Sequence, residues 1–158
     1  MKKSFSGLFI ITILFLLFST NSATAQSKDG KLGVGLMIGE PTGISLKYWQ
    51  SQRNAIDGGI AWSLGQYDAL HLHADYLWHS YTVFDDVEEG QLPVYYGVGG
   101  RLVLTDNDSV LGLRVPVGMN YLFEEAPVGL FLELAPTLNL APSTDFDIGG
   151  ALGVRIYL

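Results

Sequence analysis

From Lys31 to Leu158 apolar and polar residues alternate with period two, the spacing of β-strands whose two faces meet different surroundings. The last segment is the clearest. Phe146, Ile148, Gly150, Leu152, Val154, Ile156 and Leu158 share one face, while Asp145, Asp147, Gly149, Ala151, Gly153, Arg155 and Tyr157 share the other. A second good case begins at Leu111, where Leu111, Leu113, Val115, Val117, Met119, Tyr121 and Phe123 alternate with Gly112, Arg114, Pro116, Gly118, Asn120 and Leu122.

Eight such segments can be laid out, at roughly 31–40, 43–50, 54–65, 69–80, 92–105, 110–124, 128–140 and 145–158. The residues between them suit turns. Glu40-Pro41-Thr42-Gly43 carries Pro at the second and Gly at the fourth turn position, and Asp106-Asn107-Asp108-Ser109 and Pro142-Ser143-Thr144 are equally typical. Most segments reach the roughly 9–11 residues of a tilted membrane strand. An even number of strands joined by consecutive hairpins predicts an antiparallel up-and-down barrel. Pro116 and Pro136 interrupt two segments, and pairing through the turn at Ala126 brings them close together. A bulge or missing ladder bonds are expected there, because proline has no backbone donor.

Alternation leaves open which face is outside. A soluble barrel would keep the apolar face inside, and a membrane barrel would turn it outward to lipid. The polar face discriminates. It carries Gly33, Gly35, Gly39, Gly59, Gly97, Gly99, Gly112, Gly118, Gly149 and Gly153, small residues suited to a narrow interior. It also collects the mid-strand charges Lys47, Asp57, Asp75, Arg101, Arg114, Glu133 and Arg155. A single Arg or Lys facing lipid at the midplane would cost about 2–4 kcal/mol, so keeping all of these charges off the apolar face fits a lipid-facing surface. The apolar face places Tyr48, Trp62, Tyr76, Trp78, Tyr121 and Phe123 near strand ends, where interfacial aromatic girdles would lie. Composition agrees: 48% of residues are hydrophobic and 16% charged, against about 25% charged in soluble domains. There is no basic stripe, so no nucleic-acid partner is expected. The chain has no cysteine, which excludes disulfides, thiolate metal sites and an acylated cysteine anchor.

The first residues read as an address. Lys2 and Lys3 precede an apolar run from Leu8 to Phe18, and Ala23-Thr24-Ala25 precedes Gln26. This is the pattern of an export signal with an A-x-A cleavage site. The run is shorter than the roughly 20 residues of a spanning helix, which argues against an uncleaved anchor. Residues 1–25 are therefore expected to be a signal peptide and 26–158 a single barrel domain.

Hairpin arithmetic sets Lys47 beside Asp57, Asp57 beside Asp75, and Arg101 at the height of Arg114, with Glu133 on the strand between those of Arg114 and Arg155. Two balanced clusters are expected, because unpaired buried charge is costly. One comprises Lys47, Asp57 and Asp75, and the other Arg101, Arg114, Glu133 and Arg155. His71, His73, Asp75 and His79 share the inward face of the fourth strand, with Ser80 next to His79. Two histidines at i and i+2 can address one metal ion, and a His, an Asp and a Ser could form a hydrolytic or acyl-transfer site. No nucleophile motif surrounds Ser80, and polar filling of the lumen is the simpler account of this row. Tyr95 on the next strand could hydrogen-bond it.

The whole pattern from residue 26 onward resembles the small eight-stranded outer-membrane barrels of the OmpX and OmpA-barrel class. The resemblance is one of pattern, without a diagnostic motif. It implies a polar lumen closed by charge networks, no wide channel, and no cofactor. It also implies outer-membrane lipids, lipopolysaccharide and the outer-membrane assembly machinery as partners. That class includes structural proteins, adhesion and resistance factors, and a few lipid-A-modifying enzymes. Leu158 stands where the class usually has an aromatic residue. The longest connection, Thr82 to Gln91, falls on the side expected to be periplasmic, which inverts the usual loop asymmetry and counts against adhesion by long surface loops. The expected function is a non-enzymatic outer-membrane protein with a structural or envelope-stability role. The alternatives are a lipid-A-modifying enzyme and a soluble periplasmic lipid carrier.

Overall fold

The computed structural model describes residues 31–40, 42–63, 69–106 and 108–158. The expected signal peptide, Pro41, the turn near Gln66 and Asn107 lie outside the described residues.

Among the described residues nine antiparallel strands follow one another: β1 (Leu32–Glu40), β2 (Thr42–Trp49), β3 (Asn54–Ser63), β4 (Ala69–Ser80), β5 (Val94–Thr105), β6 (Ser109–Arg114), β7 (Val117–Leu122), β8 (Val128–Ala141) and β9 (Asp145–Tyr157). Consecutive strands pair, except that β6 and β7 both lie between β5 and β8, and β9 pairs back onto β1, so the sheet closes into a ring. β6 and β7 are two halves of one stave, interrupted at Val115 and Pro116, which leaves eight staves as the periodicity predicts. The proline effect is narrower than expected. Strands β5 and β8 keep the same register along both halves, Val115 N–H still donates to the Pro136 carbonyl at 2.9 Å, and Gly97 N–H donates to the Pro116 carbonyl at 2.8 Å. Pro116 and Pro136 each forgo the ladder bond that proline cannot donate, and these flanking bonds remain. The register shift lies further along, between Leu111 and Gly112.

Following hydrogen-bonded partners once round the ring returns to β1 ten residues further on. Eight staves with that stagger tilt by roughly 35–45° and enclose an interior that side chains can fill. One end of the barrel, called the near end, carries the start of β1 and the finish of β9. The connections 50–53, 81–93 and 123–127 lie there too. At the far end the connections are short, and the last of them spans residues 142–144.

The two faces are sorted as the membrane reading requires. Leu36, Ile38, Leu113, Leu132, Leu134 and Leu152 are all at least half exposed on the outside. Lys47, Asp57, Asp75, Arg114, Glu133 and Arg155 are buried inside. A solvent-facing carrier with an apolar lumen needs the reverse arrangement, so the soluble-carrier alternative does not fit. Inside the barrel Met37, Ala61 and Phe131 pack together with Ala151 beside them, and Ala55, Leu77, Val103 and Ala135 are buried as well.

Candidate functional site

One row of ladder partners carries four of the six buried charges. Lys47, Asp57, Asp75, Gly99, Arg114, Thr137 and Asp147 are successive Cα partners on β2, β3, β4, β5, β6, β8 and β9. All sit at inward positions because each strand alternates. Glu133 and Arg155 enter from neighbouring rows, Glu133 between Gly118 and Ala151 and Arg155 between Gly35 and Gly129. Long charged side chains thus stand beside residues with little or no side chain. The consequence is plainest at Gly99, where a Cβ would lie 2.0 Å from Asp75 Oδ1. That gap lets Arg114 reach across β5 to Asp75 on β4.

Arginines join the carboxylates across the lumen. Arg114 Nε lies 3.0 Å from Asp75 Oδ2, and its Nη2 donates to Glu133 Oε1. The other Glu133 oxygen accepts from the Tyr95 hydroxyl at 2.9 Å. Arg155 Nη2 lies 2.7 Å from Asp57 Oδ1. Arg155 also donates to Ser45 Oγ from Nε at 2.9 Å and from Nη2 at 2.7 Å, and its guanidinium stacks 3.9 Å from the Phe131 ring centroid. Within this group three cations (Lys47, Arg114 and Arg155) accompany three carboxylates (Asp57, Asp75 and Glu133), and all are buried. Such pairing is what makes charge tolerable where water is excluded.

Two separate clusters do not form. Arg114 binds a member of each expected cluster, and Arg155 takes Asp57 as its partner. Lys47, expected on Asp57, places Nζ 2.8 Å from His79 Nε2 and 4.7 Å from the ring centroids of both Trp49 and Tyr95. An ammonium has only donors, so His79 Nε2 accepts, and the ring proton on Nδ1 points to the Arg53 carbonyl at 3.1 Å. Hairpin arithmetic finds neighbours on adjacent strands. In so narrow a barrel, an arginine is long enough to reach the opposite wall.

Arg101 lies apart from the group, near the far end. It donates to Asp147 at 2.8 Å and to Asn139 at 2.9 Å, and Asp147 is about half exposed. Beside it is a cavity lined in part by Met37, His71, His73, Arg101, Arg114 and Glu133, with about 20 Å³ open to the centre of a water molecule. That is enough for about one water.

The histidine row is divided between the two ends. His71 and His73 line the far-end cavity, while His79 is sealed at the near end on Lys47. Ser80 shares its hydroxyl with Thr82 at 3.1 Å, so these residues form no His–Ser pair. Tyr95 does not bond the row as expected. Its hydroxyl goes to Glu133, and its ring lies 5.3 Å from that of His79.

The aromatics Tyr48, Trp62, Tyr76, Trp78, Tyr121 and Phe123 all lie on the outer face. Only Trp62 belongs to the far end. The near-end girdle includes one residue the sequence reading passed over, Tyr96, which is exposed and stacks on Trp78 at 5.7 Å. Its parity opposite Tyr95 was the available signal. Ser45, Asn120, Thr137 and Asn139 are also buried polar lumen residues that reading did not single out. Their inward parity was visible, but not which of them an arginine would reach.

No protein-family model and no curated protein sequence matches the chain. Among solved structures it is similar to the N-terminal β-barrel domain of Pseudomonas aeruginosa OprF, with 12% identity and a TM-score of 0.56 over 80% of this chain and 95% of that one. It is also similar to Neisserial surface protein A, with 15% identity and a TM-score of 0.48 over 80% of this chain and 93% of that one. The likeness to the OprF domain shows a shared β-barrel fold.

Proposed function

We propose that this chain is a small integral outer-membrane β-barrel protein. In this reading it is exported by its first 25 residues, and its lumen is plugged by charge. Its role is structural, in envelope stability, without enzymatic activity. The carrying observation is the sorting of the two faces: large apolar side chains stand exposed all round the outside, while six charged side chains are buried within. Lipid is the surrounding that makes such an outer face favourable, and the near-end aromatics suit its interface. The plugged lumen is supported by the ion pairs that cross it. The absence of catalysis is supported by where the histidines point: all three face inward, away from any lipid on the outer wall. Outer-membrane lipids and lipopolysaccharide are the expected surroundings, and the assembly machinery of that membrane the expected partner in insertion.

The test is fractionation of the expressed protein followed by electrophoresis with and without boiling. Retention in the outer-membrane fraction after carbonate washing, with heat-modifiable migration, is the expected result. Release by carbonate without detergent would overturn the membrane assignment. Planar-bilayer recording addresses the plug, where steady conductance would contradict it. Lipid-A mass spectra with and without the protein address catalysis, and a changed pattern abolished by His73→Ala would establish the enzyme instead.

A further inference from the structure

We infer that Asp57, His73 and Asp75 form a binding site for one divalent transition-metal ion beside the far-end cavity. A donor atom from each of these side chains lies within 4.8 Å of the other two. Three elementary features of the barrel produce this convergence. Asp57 and Asp75 are direct Cα partners on β3 and β4, so their carboxyls stand side by side. His73 is two residues from Asp75 on the same inward face. Its own Cα partner is Gly59, where a Cβ would lie 2.3 Å from His73 Cε1 and 2.8 Å from Met37 Cε. Gly59 thus leaves the hollow in which the imidazole lies down towards the carboxylates.

A second observation points to a ligand. The Asp75 side chain is fully buried, and its Oδ1 has no hydrogen-bond partner. Such an atom normally finds a donor or a cation. His73 forms part of the cavity wall. The cavity beside the imidazole has room for about one water. One imidazole nitrogen with two carboxylate oxygens suits Zn²⁺ and its late first-row neighbours better than Ca²⁺ or Mg²⁺. Arg155 and Arg114 hold Asp57 and Asp75 in position, as outer-shell partners do for metal ligands. The same two cations oppose a dication. The site is therefore a reversible one rather than a structural zinc site.

The experiment uses untagged protein refolded in detergent micelles, with Zn²⁺ as the probe. Calorimetry is expected to show one saturable site per chain. His73→Gln is expected to weaken it by at least about tenfold. Asp85→Asn with Asp86→Asn, in the exposed near-end connection, is expected to leave it unchanged. The chain has three histidines, so the imidazole NMR signals of the wild-type protein give a readout independent of any variant's folding. Zn²⁺ is expected to displace the His73 signals and leave those of His79 in place. No saturable binding by the folded wild type would overturn the site. So would an affinity that survives His73→Gln but is lost with the near-end acids. Because the barrel's folding is read separately by heat-modifiable migration, failure of the metal site and failure of the membrane reading are distinguishable.

Discussion

The two ends of the lumen contain similar residue types and treat them oppositely. At the near end Lys47, Arg155, His79 and Tyr95 are buried, and they pair with one another and with Ser45, Asp57, Glu133 and the Arg53 carbonyl. Trp49 and Phe131 lay aromatic faces against the cations. At the far end Arg101 pairs with a half-exposed Asp147, and His71 and His73 border a cavity. The difference teaches that a charge in this lumen is held in one of two ways. Near-end charges are held by protein partners with water excluded. The far-end pair retains access to water, which can replace either partner.

That contrast ranks the expected effects of substitution. Arg155→Met should do the most damage, because it leaves Asp57 buried without its cation. A loss of about 3–5 kcal/mol of folding stability is expected, measured by urea unfolding in micelles with tryptophan fluorescence. Adding Asp57→Asn should recover part of that loss, and the absence of any recovery would mean the pair is not coupled. Glu133→Gln comes next. It weakens the acceptor shared by Arg114 and Tyr95 without emptying the space, and a loss of about 1.5–3 kcal/mol is expected in the same assay. Arg101→Met should matter least, under about 1 kcal/mol, since Asp147 can be solvated in its place. An Arg101 effect as large as that of Arg155 would erase the distinction between the two ends.

Much of the architecture was legible because it depends on parity and on hairpin register. Both are properties of consecutive residues. Lys47 opposite Asp57, and Asp57 opposite Asp75, follow from counting through two turns, and the structure pairs them so. The eight staves follow from eight alternating runs. Pro116 was legible as a defect but not in its extent. The sequence shows the missing donor, whereas flanking bonds from Val115 and Gly97 decide that the register survives it.

Pairing across the lumen was not legible. Asp57 with Arg155, and Asp75 with Arg114, join strands that are not adjacent in the ring. Nor was the grouping of Asp57, Asp75 and His73 legible, since it depends on where an imidazole can lie over Gly59. The charged inner face, the apolar outer face and the order of the staves were determined by the sequence alone, because a period of two and short connections permit little else. Which cation meets which anion was decided by closure of the ring. Closure sets the width of the lumen, and that width determines which opposite wall a side chain can reach.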